Sequence, residues 1–363
     1  TIAEISGFVG RATPPPALKA EGLERLDDAA RREIAEAVGA FAELMQRAGP
    51  RMAHPFAGTR ALDLQPTDRQ RLETELAEAL AALDAHAETC RQIAGRTGLD
   101  APATVKEAHA LAALLATVAR RPEDGACAAE ALIAHAGTAR LAEALAAGRT
   151  WRAARDAAAR DFSDAAWQAP AAELRTRLAP GVRSFWARLF GTYRAASAEL
   201  AGVMQRPLPR KPAERLALVE RLLDVQAKRR TLAEDEAWLR DALGTAWRGE
   251  RTEFAALERV AAWLAELRAA GATLDAGLVA LAADIAGEAH ALADTLKART
   301  RALEAALATV IARLDLAPPG AAAAEDVALD DWRARLAAMK AGGARYPEWG
   351  RFQTLARRIG EAG

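Results

Sequence analysis

Leucine and alanine recur at intervals of three, four and eleven residues along most of this chain, and such spacing allows little except helices that shield one another. Between about residues 274 and 315, Leu281, Leu292, Leu303 and Leu314 fall eleven apart, as do Leu274, Ile285, Leu296 and Leu307. An eleven-residue repeat gives 3.67 residues per turn, which predicts a straight or slightly right-handed helix. At 1.5 Å per residue it would span roughly 60 Å. An apolar stripe on a helix that long has to be covered by another helix. The nearest candidate is 213–247. There Leu218, Val225, Leu232 and Leu239 repeat every seven residues, with Leu222, Arg229, Glu236 and Leu243 as companions. The two read as an antiparallel stalk with a helix at 252–269 alongside.

The rest of the chain follows the same rule. Apolar residues make up 51% and charged residues 27%, which is globular rather than disordered. Aromatics are only 5%, and alanine, the best helix former, fills much of the apolar share. β-Branched residues are scarce, which removes the strand alternative. The expected fold class is all-α: an elongated multi-helix bundle with long antiparallel coiled-coil-like helices.

A chain of 363 residues exceeds one hydrophobic core, and five regions are expected. Residues 1–20, ending in Pro14-Pro15-Pro16, form a leader or linker. Residues 21–160 form an N-terminal helical subdomain. Its first helix, 23–46, carries Leu26, Ile34, Val38, Phe41 and Met45 on one face. Its second carries Leu72, Leu76, Leu80, Leu83, Ala87, Cys90 and Ala94. Thr67-x-x-Gln70 and Thr104-x-x-Glu107 read as capping boxes. Residues 161–212 form a proline-punctuated junction in which Phe162, Trp167, Phe185, Trp186, Phe190 and Tyr193 mark where helix ends pack. The stalk occupies 213–315, and two short helices at 316–363 cap it.

Reaction chemistry has no foothold in this pattern. There is no G-x-x-x-x-G-K-[ST] phosphate loop, no G-x-G-x-x-G and no H-E-x-x-H. Cys90 and Cys127 lie in no CxxC, so neither a disulfide framework nor a zinc site is supported. His86 and Cys90 have ligand-like spacing on one helix face but lack a second pair. His54, before Pro55, reads as part of a structural turn, and His109, His135 and His290 fall in no motif. The carboxylates at Glu234-Asp235-Glu236 and Asp330-Asp331 read as solvated. Catalytic, cofactor-binding and metal residues are therefore all expected to be absent. No apolar run reaches the length of a membrane span and no signal peptide opens the chain, so the expected location is the cytoplasm. The chain opens on Thr1, and a fragment of something longer is expected.

Charge supplies the one local signal. Basic and acidic residues balance at 49 each, which argues against a protein that coats nucleic acid over its whole surface. Yet residues 206–230 hold Arg206, Arg210, Lys211, Arg215, Arg221, Lys228, Arg229 and Arg230 against Glu214, Glu220 and Asp224, five net positive. Trp247, Arg248 and Arg251 lie at the far end of the same predicted helix. Arginine and lysine neutralise phosphates, and an exposed tryptophan can stack on a base. The candidate contacts are Arg206, Arg210, Lys211, Lys228, Arg229, Arg230, Trp247, Arg248 and Arg251. The competing reading is a solvated face of i,i+4 ion pairs with a tryptophan buried at a helix end.

Several segments in succession resemble the helical insertion region of large bacterial superfamily-I helicase-like ATPases. They are His54-Pro55-Phe56-Ala57-Gly58 followed by Thr67-Asp68-Arg69; then Phe162-Ser163 with Trp167; then Trp186, Tyr193 and Arg194; then Trp247-Arg248-Gly249. Their order and rough spacing agree across residues 50–265. The resemblance implies a non-catalytic lever, nucleic-acid clamp or partner-docking module, whose partners are the remainder of the parent ATPase, DNA or RNA, and other proteins. It carries over no catalytic residue. The alternative is a freestanding coiled-coil scaffold that binds protein partners.

Overall fold

The structure, a computed structural model, describes residues 27–61, 64–123, 129–316 and 323–362. Among these, every regular element is helical. Among the described residues, β pairing is limited to three isolated bridges: Thr59 with Leu316, Thr104 with Ala328 and Phe162 with Met204. The chain is all-α.

In chain order the helices are α1 (Asp28–Ala48), α2 (Pro66–Thr97), α3 (Val105–Val118), α4 (Ala129–Leu132), α5 (Ala139–Ala158), α6 (Ala171–Leu178), α7 (Pro180–Arg183) and α8 (Gly191–Gly202). They continue as α9 (Pro212–Glu234), α10 (Glu236–Leu243), α11 (Phe254–Ala269), α12 (Ala276–Asp284), α13 (Ala289–Leu314), α14 (Leu329–Ala341) and α15 (Tyr346–Ala362). Among the described residues no single helix is long and apolar enough to cross a membrane.

Two compact units form, and their borders differ from the expected regions. The first unit combines the described residues up to Ala113 with those from Ala291 onward; the second is Leu114–His290. The expected 21–160 subdomain and 213–315 stalk are thus each divided, and 161–212 lies wholly inside the second unit. The expected leader at 1–20 lies outside the described residues, as does Cys127.

The first unit is organised by α2 and α13. Leu72, Leu76 and Leu83 share a buried core with Leu303, Leu307, Val310 and Leu314, closed by Trp332, Leu336 and Met339 of α14 and by Trp349 and Phe352 of α15. The two helices run antiparallel, as two side-chain pairs show. Arg313 holds Glu75 at 2.5 Å, and Thr300, thirteen residues back, meets His86 at 3.2 Å, eleven residues on. The 303–314 part of the eleven-residue stripe therefore finds its cover on 66–97, not on 213–247. The second helix's buried face also differs in detail: His86, Thr89 and Ile93 are buried where Ala87 and Ala94 were expected. Asp27 caps α1 through Ala30 N at 2.7 Å. Of the two expected capping boxes, one forms in altered shape: Thr104 Oγ1 accepts from Glu107 N at 3.1 Å, while the Glu107 carboxylate accepts from Ala103 N at 2.7 Å rather than from Thr104 N. The other does not form. Pro66 occupies the first helical position, and Thr67 follows it inside the helix.

The expected continuous helix at 274–315 is broken at 285–288. Asp275 starts α12 by accepting from Leu278 N at 2.7 Å, and α13 begins anew at Ala289. Gly287 sits in the break, where a helix would lose about 1 kcal/mol relative to alanine. Periodicity marks a buried face on either side of a break equally well, so it could not reveal this one. The expected helix 213–247 likewise ends at Glu234, and Asp235 separates it from α10.

In the second unit α9 packs on α5 and α6, α11 packs on α5 and α4, and α6 packs on α8. Gly148 of α5 lets the Phe254 ring lie directly on its backbone, where any Cβ would collide with the ring. Val219, Leu222, Leu232, Leu239 and Leu264 are buried here. The charged middle of the predicted heptad seam is an ion pair: Arg229 of α9 reaches Glu236 of α10 at 3.3 Å across the break.

Candidate nucleic-acid interface

The basic strip at 206–230 neutralises much of its own charge. Arg206 and Arg221 share Asp161 at 3.4 and 2.8 Å. Lys211 meets Glu214 at 3.2 Å, and Lys228 pairs with Asp224 one turn back. Arg229 lies between Glu236 and Glu250, at 3.3 and 3.4 Å. Exposed pairs of this kind are worth at most about 1 kcal/mol, but they lower the local field that phosphates would meet. Arg210, Arg230, Arg248 and Arg251 are exposed and make no ion pair among the described residues. Trp247 is half-buried, edge-on to Phe254 at 6.2 Å, and so is poorly placed to stack on a base.

Arg229 and Arg230 instead line a cavity of about 420 Å³ with Trp151, Arg155, Trp167 and Glu250. Arg155 lies over both indole rings at 5.6 Å and holds Glu250 at 3.0 Å. Stacked arginines with a carboxylate between them make a packed polar cluster whose charge is largely met from within.

A cluster of exposed aromatic side chains lies in the stretch expected to be a packed junction. Phe162 and Tyr193 are indeed buried, but Phe185, Trp186 and Phe190 are 63%, 72% and 65% exposed. Val182 and Leu189 are also exposed. Together they make an apolar ridge from the end of α7 to the start of α8. Clusters of exposed large apolar side chains are candidates for interaction sites. Between Leu174 and Ala198 there are five arginines and no carboxylate. Arg188 lies over the Phe185 ring at 5.9 Å, while its Nε donates to Gly181 O at 2.7 Å. Arg177 is the exception to the open charge, paired with Glu199.

Beside the ridge lies a cavity of about 340 Å³, lined by Arg188, Tyr193, Arg194, Ser197, Arg210 and Arg215 with Pro212. Arg215 is aimed by Nε donation to Pro209 O at 2.7 Å and by Nη1 donation to Ser197 Oγ at 3.2 Å. Tyr193 is 5% exposed, and its hydroxyl has no hydrogen-bond partner. Its ring lies against Gly181 so closely that a Cβ there would overlap it. Of the expected contact residues, the structure brings Arg210 to this cavity and Arg229 and Arg230 to the other one. It leaves Arg206, Lys211 and Lys228 in local ion pairs. The signal that could have pointed to the ridge was the acid-free run of arginines between closely spaced aromatics.

In the first unit, His86 contacts Cys90 Sγ at 3.5 Å as well as Thr300, and no group of three metal-ligating side chains forms among the described residues. Burial lowers the His86 pKa and pushes the Cys90 thiol up to about 11. His54 is buried, stacked on Trp349 at 5.5 Å, with its Nδ1 accepting from Phe56 N at 3.2 Å. Comparison with family models, with curated proteins and with solved structures found no match to this chain.

Proposed function

We propose that this chain is a non-catalytic binding module that engages single-stranded nucleic acid through the ridge at 182–190, as the helical insertion of a helicase-like ATPase would. The observation that carries the reading is the exposure of Phe185, Trp186 and Phe190 within a stretch rich in arginine and devoid of carboxylates. Aromatic faces accept any base by stacking, and surrounding guanidiniums meet the phosphates between bases. The strip at 206–230, with its charge mostly paired, would add a secondary field rather than the contact itself.

The test is fluorescence anisotropy with a 3′-labelled, 5′-hydroxyl oligothymidylate. Binding should fall steeply with salt. Trp186→Ala with Phe190→Ala should weaken it about tenfold or more, since each stacked base is worth about 1–3 kcal/mol. No binding at low ionic strength, or a double variant that binds like the parent, would sink the reading. The insertion reading is tested by the flanking coding sequence, which should supply a phosphate-loop segment on one side and a Walker B segment on the other.

The exposed aliphatics Val182 and Leu189 favour a second reading, a protein partner docked on the same ridge. In that case the ridge variants would lose a protein complex while oligonucleotide binding was never present.

A further inference from the structure

We infer that the cavity lined by Arg188, Arg194, Arg210 and Arg215 is a phosphomonoester site, which takes the terminal phosphate of the strand proposed to lie along the ridge. The inference rests on that reading for its ligand but on separate observations for its chemistry.

Four arginines line a cavity of about 340 Å³, and no carboxylate residue lines it. Like charges repel and are not gathered in this way without something to offset them. The neighbouring carboxylates are already engaged, Glu214 by Lys211 and Glu199 by Arg177. Two of the arginines are held in place before any ligand arrives, Arg188 by the Gly181 carbonyl and Arg215 by the Pro209 carbonyl and Ser197. Each guanidinium has five donors, so anchoring one or two leaves others for a ligand.

The second, independent sign is Tyr193. Its side chain is among those that line the cavity, and its hydroxyl is buried and has no partner. A buried polar group without a partner is costly, and this one would be satisfied by an anionic oxygen. Pro212 opens the 23-residue helix α9 at the same wall, where the positive end of the helix dipole adds to the field.

Charge and size narrow the ligand. An internal phosphodiester carries one negative charge, whereas a phosphomonoester carries nearly two at neutral pH. Four guanidiniums match the second better. A cavity of this volume sits at the small end of ligand pockets, with room for a terminal phosphate and part of the nucleotide that carries it. Arg188 touches both the Phe185 ring and the cavity, so a strand whose bases stack on the ridge would bring its end to the cavity mouth.

The experiment uses the whole chain and isothermal titration with three probes: an oligothymidylate with a 5′-phosphate, the same strand with a 5′-hydroxyl, and inorganic phosphate. The phosphorylated strand should bind about tenfold tighter, and inorganic phosphate should erase that difference. Arg210→Gln, an exposed position, and Tyr193→Phe, which removes only the hydroxyl, should each bring the ratio of the two affinities towards one. Equal affinity for both strands would overturn the inference while leaving the ridge reading intact, provided Trp186→Ala still weakens both. A ratio that survives both cavity variants would also overturn it. If neither strand binds but inorganic phosphate does, and Arg210→Gln abolishes that, the phosphate site stands with a free phosphate as its source and the ridge reading falls.

Discussion

The two units differ in how they treat several of their large aromatic side chains, although Trp263 of the second unit is buried and donates to Thr117 O at 2.9 Å and His54 Nε2 of the first is buried without a hydrogen bond. In the first, Trp349 is buried and donates its indole N–H to Thr59 O at 3.0 Å, Trp332 donates to Ala324 O at 3.2 Å, and the Tyr346 hydroxyl donates to Ala61 O at 2.7 Å. In the second, Tyr193 and Trp151 are buried with their polar atoms unmet, and three further aromatics stand in solvent. Both units are built from the same alanine-rich helices, so composition does not account for the difference. The exposed set at 185–190 is the one on which the proposed binding role rests.

That contrast can be broken most directly at Trp349. Trp349→Ala should lower the stability of the first unit by about 3–5 kcal/mol through the cavity it leaves, read from urea unfolding. A loss as small as at an exposed site would mean that the first core is not the tightly packed one. The next effect is with pH. Burial lowers the pKa of both His54 and His86 below the ordinary 6.5, and for His54 the nearby Arg345 adds to the shift. Both rings are therefore neutral in the fold, and the unfolded chain takes up protons first as the pH falls. Stability from these two groups should be full above about pH 6.5 and decline below it, and His86→Gln should flatten the slope. A rise in the urea midpoint between pH 7.5 and 5.5 would contradict the assignment. Tyr193→Phe, by removing a buried hydroxyl with no partner, should leave the ligand-free protein as stable or raise its stability by about 1 kcal/mol. A marked loss would show that the hydroxyl is satisfied after all. Smallest of all, Trp186→Ala should change stability by no more than about 0.5 kcal/mol, since its side chain has little to lose.

The all-α class, the existence of a helix near 252–269 and the capped start of α3 were legible because each rests on local spacing. Ala108, Leu111, Leu115 and Val118 are buried as their three- and four-residue intervals predict. Pairing was not legible. Leu303 and Leu307 could announce a buried stripe, but nothing local told them to meet Leu72 and Leu76 rather than Leu218 and Val225. Breaks at Asp235 and at 285–288 escaped for the same reason. The candidate site suffered most. Counting charges along 206–230 could not see that Asp161, far away in sequence, would take up Arg206 and Arg221. Nor could counting aromatics around residue 185 distinguish a ring that packs, like Phe162, from one that does not, like Trp186.

Gly181 carries a consequence for anyone who maps this surface by substitution. It lies under the Tyr193 ring, and its carbonyl anchors Arg188. A methyl group there would push the ring aside and turn the guanidinium with it, so the smallest possible change at a residue that meets no ligand would disturb both walls of the pocket at once. A scan that scores positions by what their side chains touch would pass over the one position whose lack of a side chain sets the shape.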